Sequence, residues 1–278
     1  MFPKLMGDKV KFRHFSHEHA GNRAKSTGDR RDFYHYLMEA QDKETGEKFT
    51  VPDLVAQANV IIIGGSETTA TAMAALFFYL THNPKALAQA TKEVRDTFAG
   101  EDIEEIRSGA KLSSCQYLRA CIDEAMRCTP PISGILPRNV LPGGMAIDGH
   151  DIPSGTDVGI SAYAIHHNAK YYPDPFDYRP ERWIISESNT KQDIELAKSA
   201  FAPYSIGPRS CIGMPLAYVE MMITAARTLF KFDMRLASSL GEGAPELPLE
   251  RRRKDEFQIQ DNFIAHKDGP MVEFTPVA

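Results

Sequence analysis

The stretch from Thr50 to Thr81 constrains the fold more than any other part of the chain. It opens with Thr50-Val-Pro52-Asp53, where a capping hydroxyl, a proline in the first turn and an acid near the N-terminus are helix-start signals, and it ends against Asn83-Pro84. At 1.5 Å per residue, about thirty residues predict a helix roughly 45 Å long, which has to cross the core. The longest apolar run, Val60 to Leu80, is interrupted by Ser66, Glu67, Thr68, Thr69 and Thr71. That makes it a poor membrane span and a good buried helix carrying function. In its middle lies Gly64-Gly65-Ser66-Glu67-Thr68-Thr69. Each glycine costs a helix interior about 1 kcal/mol relative to alanine, so the pair beside an acid and two hydroxyls suggests a local unwinding. The plain alternative is a tolerated weak spot in a packing helix.

Composition narrows the class. A chain of 278 residues, 42% hydrophobic and 25% charged, can bury a full core. A net charge of −5 with scattered Lys and Arg gives no reason to expect a nucleic-acid partner. The one dense basic run, Arg251 to Lys254, is followed at once by Asp255-Glu256 and reads as a solvated turn. Cys115, Cys121, Cys128 and Cys211 contain no C-x-x-C pair, and three of them lie in one predicted helix. They read as reduced thiols in an intracellular protein, and Met1-Phe-Pro-Lys-Leu lacks the apolar run of a secretory signal.

The remaining chain is mostly helical with short strands, an α+β composition. Residues 1–28 are polar and weakly periodic, and His14, His17 and His19 among them read as exposed histidines, not a metal site. A short amphipathic helix is expected from Asp29 to Ala40, a polar helix from Pro84 to Phe98 and a shorter one from Asp102 to Arg107. Ser113 or Ser114 would cap the next helix, which stops at Pro130-Pro131. Within it Glu124 and Arg127 share a face at i,i+3 and can pair. Ile135 to Val140 reads as a strand, Met145 to Ile152 as a hairpin with Asp148-Gly149 at its corner, and Phe257 to Phe274 as two antiparallel strands turning at Lys267-Asp268-Gly269.

The chemistry centres on Phe201-Ala-Pro-Tyr204-Ser-Ile-Gly207-Pro-Arg209-Ser-Cys211-Ile-Gly213, which runs into an amphipathic helix from Met214 to about Phe230. A helix start carries unpaired N–H groups and partial positive charge, so a cysteine there suits a thiolate ligand. Gly207 and Gly213 permit turns and the close approach of a flat ligand, and Arg209 could neutralise an acidic edge.

This run resembles the haem-binding signature of the cytochrome P-450 family, F-x-x-G-x-R-x-C-x-G, at Gly207, Arg209, Cys211 and Gly213, with Tyr204 where the family usually has Phe. Gly64 to Thr69 is similar to the family's oxygen-binding motif, (A/G)-G-x-(D/E)-T-(T/S), and Glu124 with Arg127 to its E-x-x-R pair. Pro180-Glu181-Arg182-Trp183 resembles its P-E-R-(F/W) segment, and the run around His166-His167 a family connector, which argues against a metal site there.

The resemblance implies the C-terminal portion of the P-450 fold as a single partial domain, residues 1–278, lacking an N-terminal half and membrane anchor. Cys211 would be the axial ligand of haem b. Arg138 would contact a haem propionate, and Arg209, Tyr204, Gly207, Gly213, Gly64 and Gly65 would line the cofactor site. Glu67 and Thr68 would pass protons during dioxygen activation. Glu124, Arg127 and Arg182 would form a buried network. The implied function is a haem-thiolate monooxygenase acting on a lipophilic substrate, with electrons from NADPH through a flavoprotein reductase. The alternative is a truncated, inactive remnant. The full-length form would be anchored to the endoplasmic reticulum, and the wording around Pro137-Arg138 and Trp183 looks like fungal specialised-metabolism members.

Overall fold

Helix α1 (Phe2–Lys25) opens the computed structural model, which describes residues 2–26 and 30–277. The contacts cluster in two compact units, Met1–Glu67 and Thr68–Ala278, whose boundary falls inside one helix, where the sequence shows no linker.

The first unit contains α1, α2 (Phe33–Glu39) and the beginning of α3 (Val51–His82). Residues 1–28 read as polar and weakly periodic, with no helix expected from that pattern, and most of them form α1, a helix whose polar sequence has no pronounced apolar face. Asp32 caps α2 by accepting from the His35 N–H at 2.9 Å, and Asp29 lies outside the described residues. A small cluster of Ala20, Tyr34, Leu54 and Val55 is the apolar centre of this unit. His14, His17 and His19 belong to no group that could hold a metal among the described residues.

The α3 start follows its sequence signals. Asp53 accepts from the Thr50 N–H at 2.9 Å and from the Thr50 hydroxyl at 2.6 Å, which closes the first turn. The expected unwinding at Gly64-Gly65 does not occur: α3 is continuous over 32 residues. The cost of two glycines is spread over a long cooperative helix, and the Ser66 hydroxyl bonds back to the Ile62 carbonyl at 2.7 Å. Nor is the whole helix buried. Residues 71–80 enter the main core, whereas Val60, Ile61, Ile62 and Ile63 are exposed. By length and composition α3 is apolar enough to cross a membrane, but its buried second half is the place of a core helix.

The second unit is built on the later part of α3 with α4 (Pro84–Thr97), α5 (Ala110–Ser113), α6 (Gln116–Cys128) and a later helix, Met214–Lys231. Ala75, Phe78, Tyr79, Val94, Leu118, Ile122 and Ala225 meet in one core. The serines expected to cap α6 do not: Ser113 ends α5. Glu93, reaching from α4, accepts from the Tyr117 and Leu118 N–H groups at 2.9 and 2.8 Å instead. The segment 102–107 holds only a single 3₁₀ turn, Ile103–Glu105.

Strand β1 (Arg138–Asn139) is followed by β2 (Met145–Ile147), β3 (His150–Ile152) and β4 (Asp157–Val158). β2 and β3 form the expected hairpin, with Asp148 and Gly149 at φ 49° and 79°, while β1 pairs with β4. Then come α7 (Ala162–His166), a 3₁₀ turn at Pro180–Trp183, α8 (Lys191–Ser199) and α9 (Met214–Lys231). The last strands are β5 (Phe232–Leu236), β6 (Ile259–Gln260), β7 (His266–Lys267) and β8 (Val272–Pro276). The tail therefore differs from the simple two-stranded finish: β7 pairs with β6, and β8 pairs with β5, so its two strands belong to separate sheets. The basic run is exposed from Arg252 to Lys254, as a solvated turn should be, although its side chains also bond locally. Arg251 donates to Gln258 at 3.0 Å, Arg252 to the Leu247 carbonyl at 2.8 Å, and Arg253 lies 3.4 Å from the Phe176 ring centre.

Candidate active site

Two constellations, both in the second unit, hold most of the singled-out residues. The first is buried. Glu124 and Arg127 project from α6 and are fully inaccessible, and Arg182 comes from the Pro180–Trp183 turn. Glu124 Oε1 accepts from Arg127 Nη2 at 2.9 Å, Arg182 Nε at 3.1 Å and the Arg179 N–H at 3.0 Å; Oε2 accepts from Arg127 Nε at 2.9 Å and Trp183 Nε1 at 3.0 Å. Five donors therefore converge on one carboxylate. The other guanidinium bonds go mostly to backbone: Arg127 reaches the His166, Pro175 and Asp177 carbonyls at 2.9, 2.7 and 3.2 Å as well as Cys128 Sγ at 2.9 Å, and Arg182 reaches the Asp174 carbonyl at 2.5 Å. A buried charge survives only when its donors and acceptors are so satisfied. The network therefore staples the irregular loop 174–182 to α6.

The second constellation is the cysteine loop. It is closed by the Cys211 N–H, which donates to the Tyr204 carbonyl at 2.9 Å, and it carries a 3₁₀ turn, Gly207–Arg209. Gly207 sits at φ +76°, a conformation that L side chains rarely adopt. Gly213 differs. Its φ is −79° and a β-carbon there would stand 3.6 Å from Cys211 Sγ, so the turn itself does not require glycine at this position. The loop delivers Cys211 to the start of α9, where the Met214 N–H meets the Cys211 carbonyl at 3.3 Å.

Cys211 is exposed, and the other three cysteines are buried. Around it stands apolar surface without cover: Ile206 is 75% exposed and Ile212 100% exposed, with Met214 and Leu216 also exposed. Arg209 and Arg138 are exposed and enter no ion pair among the described residues; Arg138 bonds only its own neighbours, the Pro137 carbonyl at 2.9 Å and Leu136 at 3.4 Å. A soft sulfur donor, an uncovered apolar surface and the exposed Arg209 on the same loop suit a flat apolar ligand that carries a metal and acidic edges. The residues present thus fit a haem.

Tyr204 turns away from solvent. Its ring lies 5.3 Å from that of Tyr218, whose hydroxyl donates to Asp123 at 2.7 Å, and Arg119 both pairs with Asp123 at 3.0 Å and lies 3.4 Å from the Tyr218 ring centre. Burial pushes the Tyr204 phenol upward, and the Asp123 charge adds to this against Arg119. Burial also raises the Asp123 carboxyl despite its arginine. Asp123, Tyr218 and Arg119 escaped the sequence reading, because nothing in the local pattern marks them, and Trp183 was read only as part of its motif, without its bond to Glu124.

Gly64, Gly65 and Glu67 belong to the first unit and are exposed on α3, and Thr68, half-buried, begins the second. No β-carbon added at Gly64 or Gly65 would meet an atom within 4 Å.

Residues 8–248 match the family model described as Cytochrome P450. The chain belongs to the cytochrome P450 family. Its fungal relatives include a cytochrome P450 monooxygenase of Gibberella zeae, 43% identical over 250 residues, covering 88% of this chain and 56% of the relative. Another is cytochrome P450 monooxygenase AKT7 of Alternaria alternata, 38% identical over 282 residues, covering 99% and 54%. Cytochrome P450 monooxygenase lcsN of Purpureocillium lilacinum is 37% identical, covering 99% and 81%. The chain spans about half the length of the first two. Among solved structures, a crystal structure of a cytochrome P450 matches with TM-score 0.76 at 23% identity, covering 98% of this chain and 57% of that one. The haem domain of cytochrome P450DA matches with TM-score 0.73 at 20% identity, covering 98% and 55%. The α+β P450 fold is shared, and haem is the family's general cofactor.

Proposed function

We propose that this chain is the haem-thiolate portion of a monooxygenase that inserts one atom of dioxygen into a lipophilic organic substrate. The observation that supports this best is the presentation of Cys211, exposed beside the uncovered Ile206 and Ile212 at the start of α9, while every other cysteine is buried. When bound, haem b supplies dioxygen activation and oxygen transfer.

The chain's own residues hold and serve it. Cys211 Sγ would hold the haem iron, Arg138 and Arg209 would neutralise acidic edges, and Gly207 and Gly213 would allow close approach, with Tyr204 backing the loop. By the same family resemblance Gly64 and Gly65 leave room for dioxygen, and Glu67 and Thr68 move protons at the Thr68 hydroxyl. The loop Ile132–Leu136 offers apolar wall to the substrate. Glu124, Arg127 and Arg182 keep the scaffold under the loop in one geometry. Electrons come from NADPH through a flavoprotein reductase at the endoplasmic reticulum surface, and by the resemblance in the wording around Arg138 and Trp183 the substrate belongs to fungal specialised metabolism.

The test is a spectrum. The purified chain, supplied with hemin, reduced and exposed to carbon monoxide, is expected to show the red-shifted Soret band of thiolate-ligated haem, and Cys211→Ser is expected to abolish it. Absence of the band from the unsubstituted chain refutes the reading. A second reading, a remnant that binds haem without turnover, is favoured by the wholly exposed Ile212 and the bare Val60–Ile63 face. A thiolate Soret band without NADPH-dependent product in the presence of reductase would support it.

A further inference from the structure

His166 ends α7 at 0% exposure, a buried polar residue that the site as described does not use. Three contacts define its place. Its own carbonyl accepts from Arg127 Nη1 at 2.9 Å, which ties it to the buried carboxylate network. Its Nε2 accepts the Ala202 N–H at 3.0 Å, nine residues before the cysteine. Its ring stacks on Phe201, with centroids 5.5 Å apart and planes at 27°. Because an amide N–H can only donate, Nε2 must carry the lone pair and the ring proton must sit on Nδ1. That Nδ1 is buried without a hydrogen-bond partner, facing the last carbonyls of α6 at Met126 and Arg127.

From Ala202 the connection continues through backbone. The Ala202 carbonyl accepts from the Ser205 N–H at 3.0 Å, and the Tyr204 carbonyl accepts from the Cys211 N–H at 2.9 Å. An unbroken series of bonds thus runs from Glu124 through Arg127, His166, Ala202 and the Tyr204–Ser205 turn to Cys211. Remaining neutral is essential to it, since a protonated ring would place a donor against the Ala202 N–H. Burial, the Arg127 charge and then His167 push the His166 pKa down to about 3, in keeping with that role.

We infer that His166 is a positioning residue: as a neutral acceptor at Nε2 it fixes the base of the cysteine loop to the Glu124–Arg127–Arg182 network and so sets where Cys211 presents its sulfur. The significance of the sulfur's place rests on the reading of Cys211 as the haem ligand, whereas the loop's attachment does not.

Residue-resolved amide exchange on the haem-free chain therefore tests it separately from that reading. His166→Phe keeps a ring against Phe201 and removes the acceptor. His166→Gln carries an acceptor out to the Nε2 position, and His166→Asn reaches only Nδ1. In His166→Phe the Ser205 and Cys211 amides, not merely Ala202, are expected to exchange about fivefold faster or more, with α4, α6 and α9 unchanged. With hemin and carbon monoxide the same variant should show a smaller thiolate share of the Soret band, restored in His166→Gln. The inference is overturned if only Ala202 exchanges faster while Cys211 keeps its protection, or if the thiolate share does not move. Should His166→Phe fail to fold, Gln against Asn decides: protection at Cys211 kept by Gln and lost in Asn supports the inference, and equal behaviour of the two overturns it.

Discussion

Glu124→Gln is the substitution whose consequence can be worked furthest. The change preserves shape and removes one acceptor. With the amide nitrogen at the Oε2 position, Arg127 Nε and Trp183 Nε1 each face a donor. With it at Oε1, three donors do, from Arg127, Arg182 and the Arg179 backbone. Either way two guanidinium groups stay buried without a counter-charge. Breaking a buried pair from one side costs about 3–5 kcal/mol, a fifth or more of the roughly 5–15 kcal/mol that holds a typical domain. With a urea slope of about 1–3 kcal/mol per molar, the midpoint followed by far-ultraviolet circular dichroism should fall by more than about 1 M. The exposed pair Lys92 and Asp96 is the control, and Lys92→Ala should move the midpoint by a small fraction of that. An apolar triple replacement of Glu124, Arg127 and Arg182 should not restore stability, although buried ion pairs often yield to such swaps. Here it strands the His166, Pro175, Asp177 and Asp174 carbonyls that the guanidiniums satisfy. A Glu124→Gln shift no larger than the control's, or a triple variant as stable as the parent, would refute the reasoning.

Acid should destabilise the chain well before its carboxylates titrate. Burial holds His166 down to about 3 and His167 to about 4, below the ordinary 6.5 that both regain on unfolding. The unfolded chain therefore takes up protons first, and stability present above pH 6.5 is lost as pH falls from 6.5 toward 4. The slope is at most about 1.4 kcal/mol per pH unit for His166, and less for the half-buried His167 after solvent screening. Urea midpoints measured from pH 7.5 to 5 should fall and His166→Gln should flatten the fall, whereas a level profile would contradict this. Gly65→Ala should stabilise α3 by about 1 kcal/mol, because no atom lies within 4 Å of the added carbon and the helix is continuous. A lower thermal midpoint for that variant would disprove the open space. Glu93→Ala should cost about 1–2 kcal/mol by uncapping α6, read as a lower urea midpoint, and Ser113→Ala, outside that cap, should cost almost nothing.

What the sequence made legible was local. The α3 start was readable because Thr50 and Asp53 satisfy each other within one turn, and the hairpin because Asp148-Gly149 can take positive φ where few pairs do. The Glu124–Arg127 pairing followed from helix spacing, and the meeting with Arg182 from resemblance alone. What escaped was held by distant chain. The α6 cap comes from Glu93 on another helix, so the serines beside it were misleading. The tail pairs Val272–Pro276 with Phe232–Leu236, a register that no turn residue announces. Helix α1 was missed because periodicity detects an apolar face and this helix has little of one.

The same division separates stability from chemistry in the site. The residues that hold the network bury every charge against several partners, so each is expensive to alter. The cysteine loop spends little: Cys211 is exposed, its loop is closed by one backbone bond to Tyr204, and its neighbours Ile206 and Ile212 touch almost nothing. A ligand covering that surface would remove apolar area from water at about 25 cal/mol per Å², and would stabilise the folded chain in proportion to its concentration and affinity. A weakly held loop on a rigid base is therefore consistent: the base fixes where the sulfur stands, and the ligand supplies the burial the loop lacks. On this argument hemin should raise the thermal midpoint of the unsubstituted chain and leave that of Cys211→Ser nearly unchanged, because the apolar surface alone does not select iron.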